Sequence, residues 1–446
     1  MPAVLASRSP LVNPPLRPLH SLFGSARRHP VRAAAVALAL ALAAAGAAVY
    51  GWGSYHLRAA ARDLREERFD DARGHVRSCL RVWPYSARAH LLAARIERQS
   101  DNFPEAERHL NECKRLQGGA TDEVQLEWLL MRAQSGEVDE LADGLWRYVE
   151  EDRAEAPSVL EVLAQSYIRR MRYHSALTCL DEWLKREPDN ARALDWRGWV
   201  RERLHKLDEA AADYQHALAV APQRWEVRLR LADLLLLDSK PQEALLQLER
   251  LRQDGVDRPA VLVALARGYA ALGRPEEARA ALEKALAADP DNAPALIALG
   301  KLENQSQRPA EAEKHLRRAL ALTPFDQDAH FTLYQALEAQ SDRREEAAAQ
   351  LARYKALEAD AKRLTTLVET RGEQAAQDPN TASEIGSLLL RIGLQDQGLY
   401  WLNLALEKDR QNRRAHAALA DYYQKHNQPE KAAEHRRALA DPAPQP

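Results

Sequence analysis

Thiols and imidazoles are among the side chains that carry chemistry in proteins. Cys79, Cys113 and Cys179 are the only cysteines, and no two have the spacing of a metal-binding or redox pair. Cys79 and Cys113 each follow a small helical alanine, Ala72 and Ala106, by seven residues. They read as small buried side chains, with a disulfide or metal site as the alternative. Histidines such as His205, His315 and His416 are spread singly along helical stretches. No H-E-x-x-H, G-x-x-x-x-G-K-[ST], G-x-S-x-G or C-x-x-C occurs. Without a convergent set of titratable groups, an enzyme reading has no catalytic residue, cofactor or metal to name. The remaining reactive groups suit binding. Trp196 and Trp199 stand near a row of charged residues, Arg230, Asp233, Arg267 and Lys301. Tryptophan and arginine are the usual anchors of protein interfaces, since both bury a large flat surface and arginine adds directed hydrogen bonds.

Those residues sit on short helices. In the stretch from Pro259 to Asn292, Leu262, Leu265, Ala266 and Tyr269 recur at steps of three and four, which places them on one helical face. Gly273-Arg274-Pro275 stops that helix, and Glu276 and Glu277 favour the N-terminus of the next. The second helix turns Ala278, Leu282, Ala285 and Leu286 inward and ends at Asp289-Pro290. Two helices this short cannot bury their apolar faces alone, so neighbouring copies must complete the core.

The copies are present. Pro188, Pro222, Pro290 and Pro324 fit one spacing of 34 residues, with Val256 at the skipped step. Small residues recur at the close-packing points, first as Gly198, Ala232, Gly300, Gly386 and Ala420, then as Ala210, Ala244, Ala312 and Ala432. With Leu265, Ala266, Tyr269, Ala278, Leu282, Ala285 and Pro290, the unit resembles the tetratricopeptide repeat (TPR), whose period is also about 34 residues. The resemblance implies an all-α, right-handed superhelix of about eleven helix pairs. It also implies that the first helix of each pair lines a concave groove, into which Asp195, Trp196, Trp199, Arg230, Asp233, Arg267 and Lys301 project. A peptide or protein ligand is expected there, across residues 191–305. The competing reading has Trp196 and Trp199 sealing the seam with the neighbouring repeat. The members of this family that clamp chaperone tails use paired asparagines; none appears among Trp199, Asp233, Arg267 and Lys301, so that ligand is not supported.

Composition narrows the partners further. Apolar residues are 46% and aromatics only 6%, so alanine and leucine do the packing, as closely approaching helices require. A formal net charge of −2 argues against bulk nucleic-acid binding. Nothing points to a small-molecule substrate.

The division of the chain reads as follows. Residues 1–30 form a disordered basic tail with Pro10, Pro14, Pro15, Pro18 and Pro30. Within 31–52, Ala33 to Tyr50 carries no charge over 18 residues and suits a single transmembrane anchor, with Tyr50, Trp52 and Tyr55 as an interfacial belt. Ala43-Ala44-Ala45-Gly46 also offers a signal-peptide cleavage site, so a cleaved signal is the alternative. Arginines on both sides leave orientation leaning toward an N-terminus in the cytoplasm and repeats outside it. The TPR array follows directly over 53–342, its third unit degenerate around Gly136. The stretch 343–377 has no proline, and an apolar stripe through Leu351, Leu357, Leu364 and Val368 predicts a helix about twice the usual length. It either packs on the next repeat and offsets it, or forms a coiled-coil contact with a partner or second copy. A C-terminal TPR pair over 378–440 and a tail over 441–446 close the chain. The expected function is a membrane-tethered scaffold for protein–protein interaction. The alternatives are a structural spacer or homo-oligomer built on the long helix, and a regulatory subunit of a membrane-associated enzyme.

Overall fold

A computed structural model describes residues 30–340 and 342–440. The tail expected over 1–30, its last residue apart, and that over 441–446 lie outside the described residues. Among the described residues every regular element is helical. The chain divides into two compact units, 1–135 and 136–446.

The first unit holds α1 (Pro30–Arg65), α2 (Phe69–Val82), α3 (Ala87–Gln99), α4 (Phe103–Gln117) and α5 (Asp122–Arg132). Helix α1 runs unbroken for 36 residues, so the apolar segment and the first helix of the first repeat are one rod. Helices α1 and α2 pack together, as do α3 and α4. Ala60 and Ala72, both fully buried, let the first pair approach, and Val76, Ala93 and Ile96 complete that core. Cys79 and Cys113 are buried and unbridged.

A π turn over Ala133–Glu137, with Gly136 at φ 137°, lies inside the degenerate stretch. The second unit then holds α6 (Val138–Glu150), α7 (Ala156–Arg169), α8 (Tyr173–Arg186), α9 (Ala191–Arg203), α10 (Leu207–Val220), α11 (Trp225–Leu237), α12 (Pro241–Gln253), α13 (Pro259–Ala271), α14 (Pro275–Ala288), α15 (Ala293–Gln305), α16 (Pro309–Leu322), α17 (Gln327–Glu338), α18 (Arg344–Ala375), α19 (Pro379–Arg391), α20 (Gln395–Lys408), α21 (Arg413–Lys425) and α22 (Pro429–Ala440). From α7 onward, each odd-numbered helix packs on the even-numbered one that follows, and each pair packs on the next. Counting the degenerate α5–α6 stretch, the described residues form eleven two-helix stretches, as expected.

Two local devices repeat. The turns inside the pairs from α7/α8 to α15/α16 use a left-handed residue, at Met171, His205, Ser239, Gly273 and Gln307, and only one of these is the glycine that adopts it without strain. The caps are asymmetric. Several first helices start on side-chain caps, with Asn190 accepting from the Ala193 N–H, Asn292 from Ala295 and Asp326 from Ala329, whereas α7, α11 and α13 have none. Second helices have no cap of their own, and several start on proline instead, as at Pro241, Pro275 and Pro309.

Helix α18 departs from the pattern. Its 32 residues span about 48 Å at 1.5 Å each, against 14 residues for α14 or α16. Leu357 and Leu367 are buried, and Leu367 joins a C-terminal core with Ile385, Trp401, Leu402 and Leu419. Met171, from the turn between α7 and α8, packs against the same core. The end of α18 touches α8, and a side chain on Gly372 would meet the Met171 carbonyl at 3.1 Å. The second unit is therefore a closed circuit of contacts, in which the long helix carries the chain back to the α7/α8 pair.

Candidate functional site

The first helices of successive pairs in the second unit line a cleft of about 610 Å³. Leu236 comes from α11, Val263, Ala266 and Ala270 from α13, and Ile297 and Ala298 from α15. The small side chains at 266, 270 and 298 leave room between the helices, and the branched ones give the walls an apolar surface. Arg267 and Lys301 stand on this lining, both exposed, while Asp326 and Asp328 close the far side. Such a surface accepts an apolar segment and offers it cations to one side.

The other expected site residues are placed differently. Asp195 is buried and receives the Arg230 guanidinium at 3.1 Å, and Asp233 receives that of Arg267 at 2.8 Å. Each pair joins one repeat to the next. Desolvation pushes the Asp233 carboxyl above its ordinary range, and Arg267 pulls it back. Lys301 occupies the corresponding place one repeat further on, and it has no ion-pair partner among the described residues. Trp196 and Trp199 are half-buried, and both face α8 of the preceding repeat. The Trp196 ring meets Trp183 at 6.1 Å, and Trp199 meets Tyr173 at 6.0 Å with Arg203 over its face at 5.2 Å. Arg267 and Lys301 thus share the cleft, Arg230 and Asp233 form the adjoining charge ladder, and the tryptophans lie beyond it. The apolar lining was not singled out by sequence reasoning. Its signal is there, in the alanines that fall between the packing positions of α13 and α15.

Comparison with known families agrees with the repeat geometry. The tetratricopeptide repeat model matches residues 57–120, 162–217, 197–257 and 263–327, together half of the chain. The chain belongs to the tetratricopeptide repeat family. No curated protein matches it. Several solved structures are similar to parts of the chain at low identity. PilW, described as a widely conserved type IV pilus biogenesis factor, is 21% identical over 44% of this chain and 91% of its own, with a TM-score of 0.41. A tetratricopeptide repeat protein from Parabacteroides merdae is 17% identical over 64% of this chain and 100% of its own, with a TM-score of 0.37. MamA from Desulfovibrio magneticus is 21% identical over 38% of this chain and 96% of its own, with a TM-score of 0.35. One helix among the described residues, at the N-terminus, is long and apolar enough to cross a membrane.

Proposed function

We propose that this TPR protein is a membrane-tethered scaffold that holds a protein partner by an extended or helical apolar segment lying in the cleft along α13 and α15. The observation that carries this reading is the juxtaposition of an apolar lining with Arg267 and Lys301 on it. Cations beside small apolar side chains suit a segment with an acidic residue next to its anchoring side chains, and the role is binding rather than catalysis. The tether is α1, whose apolar part is exposed throughout its described side chains. A charge-free stretch of this length satisfies its own backbone hydrogen bonds inside a bilayer, and arginine placement favours repeats outside the cytoplasm.

Affinity purification from detergent-solubilised membranes tests the reading. Wild type is compared with an Arg267→Glu, Lys301→Glu variant and with a Trp199→Ala, Arg230→Ala variant. A protein recovered with wild type and lost from the first variant supports the cleft. Loss from the second alone moves the site to the tryptophans, and recovery of the same set by all three refutes a groove partner.

A further inference from the structure

The first repeat is built so that its own second helix returns to the apolar segment. Contacts between α1 and α2 step back along α1: Arg68 bonds Asp63, the Nδ1 atoms of His75 and His56 lie 2.7 Å apart, and Trp83 covers Gly53. At Gly53 only a glycine fits, since a Cβ there would come within 2.7 Å of the Trp83 ring. The same ring lies 5.5 Å from that of Tyr50. Counting from Ala33, about 20 residues at 1.5 Å each cover the ~30 Å of a hydrocarbon core and end at Trp52, next to Gly53. The turn from α2 to α3, Val82-Trp83-Pro84-Tyr85-Ser86, therefore lies level with the place where α1 leaves the bilayer. Its exposed face has the composition of a bilayer interface. Tyr85 is 76% exposed, and Trp52 and Tyr55 on α1 are 56% and 61% exposed at the same level. Arg77 and Arg81, one turn apart on α2, and Arg88 at the start of α3 are exposed, and none has an ion pair among the described residues. The acidic residues of α2, Asp70 and Asp71, sit at its opposite end.

We propose that this turn is a second membrane contact, in which Trp83 and Tyr85 lie at the headgroup level and Arg77, Arg81 and Arg88 bind the phosphates of anionic lipids. It rests on the reading of α1 as a membrane anchor. Aromatic side chains with a polar edge favour the bilayer interface, and guanidinium groups bond phosphate oxygens in pairs. A helix crossing a bilayer alone is free to tilt and to spin about its axis; a second contact beside it fixes both. Because α1 has no break between membrane and repeat, fixing the turn fixes the direction in which the first unit leaves the membrane.

The test uses the full chain in vesicles of phosphatidylcholine alone and of phosphatidylcholine with phosphatidylglycerol at 3:1. Spin labels are placed at Leu40→Cys and Tyr85→Cys in a background where the native cysteines are serine, and depth is read from relaxation by oxygen against a water-soluble nickel chelate. The expected result is a Leu40 label in the hydrocarbon and a Tyr85 label at the headgroups. Arg77→Glu with Arg81→Glu then moves the Tyr85 label toward water in the anionic vesicles, with lipid partitioning of the turn falling about fivefold per lost cation. A Leu40 label in the hydrocarbon with a Tyr85 label fully in water overturns the second contact and leaves the anchor standing. A Tyr85 depth that ignores both lipid charge and the arginines overturns the phosphate role. A Leu40 label in water overturns the anchor and this inference together.

Discussion

Glu373 caps a helix that begins almost two hundred residues before it. Its carboxylate accepts the backbone N–H of Ser175 at 3.2 Å and of His174 at 3.0 Å, and it takes the Ser175 hydroxyl and the Arg172 guanidinium as well. Helix α8 has no cap of its own, so its free N–H groups and positive end are satisfied by the end of α18. The contact closes the circuit of the second unit at a single, nameable carboxylate.

That relationship predicts a local opening. Glu373→Ala should cost about 1 kcal/mol, the usual loss for a missing N-cap, with little change in helix content. Hydrogen exchange at the His174 and Ser175 amides should quicken about fivefold while the α13–α16 amides stay unchanged. Burial alone would raise the Glu373 pKa, but the Ser175 and Arg172 bonds prevail and hold it below the usual range. A lowered carboxylate contributes fully above the unfolded value of about 4.3. Protection at Ser175 should therefore be lost as pH falls below that value, and the alanine variant should lack this dependence.

Two glycines predict opposite responses to the same change. A Cβ on Gly386 would meet the Gly398 carbonyl oxygen at 2.9 Å, where α19 and α20 touch backbone to backbone, and neither backbone can turn aside. Gly386→Ala should destabilise by about 1–3 kcal/mol. Gly144, exposed within α6, has nothing within 4 Å, and Gly144→Ala should stabilise by about 1 kcal/mol. Denaturant midpoints of the two variants check both signs.

The fold was legible because it repeats. Pro188, Pro222, Pro290 and Pro324 mark one register, and Gly300 or Ala312 betrays its packing point by recurring small residues. Glu373 and Ser175 carry no such signal. They belong to different repeats, brought together by the geometry of the whole circuit, and only one such contact is needed. The candidate site was legible in part for a related reason. A shared repeat position aligns Asp233, Arg267 and Lys301, but it does not reveal that Arg267 is paired with the Asp233 of the repeat before it. Nor does it reveal that Tyr173 and Trp183 stand where Trp199 and Trp196 turn. Pairing depends on which way a long side chain leans across the seam, and the repeat register leaves that open.

Burial of His109 should make the first unit pH-sensitive. His90 and His109 are buried with their Nδ1 atoms 2.9 Å apart, and His90 Nε2 reaches the Pro84 carbonyl at 3.0 Å. Burial, then the Arg108 and His90 charges, lowers the His109 pKa to about 4. The fold thus favours the neutral ring while the unfolded chain takes a proton near 6.5, so stability should fall as pH drops from about 6.5 toward 4. In another repeat Gln247 takes the corresponding place and bonds Arg228 at 3.1 Å. His109→Gln should keep the fold and flatten the pH dependence of hydrogen exchange in α3 and α4.

The central claim, that a partner segment lies in the cleft, is tested most directly by photo-crosslinking in intact cells. A benzophenone amino acid replaces Ala298, which lines the cleft, or Glu283, exposed on α14. The account predicts a discrete protein adduct from position 298, its absence from position 283, and its loss when Arg267→Glu and Lys301→Glu are added. An adduct at 298 that survives the charge reversals, or the same adducts from both positions, would contradict it.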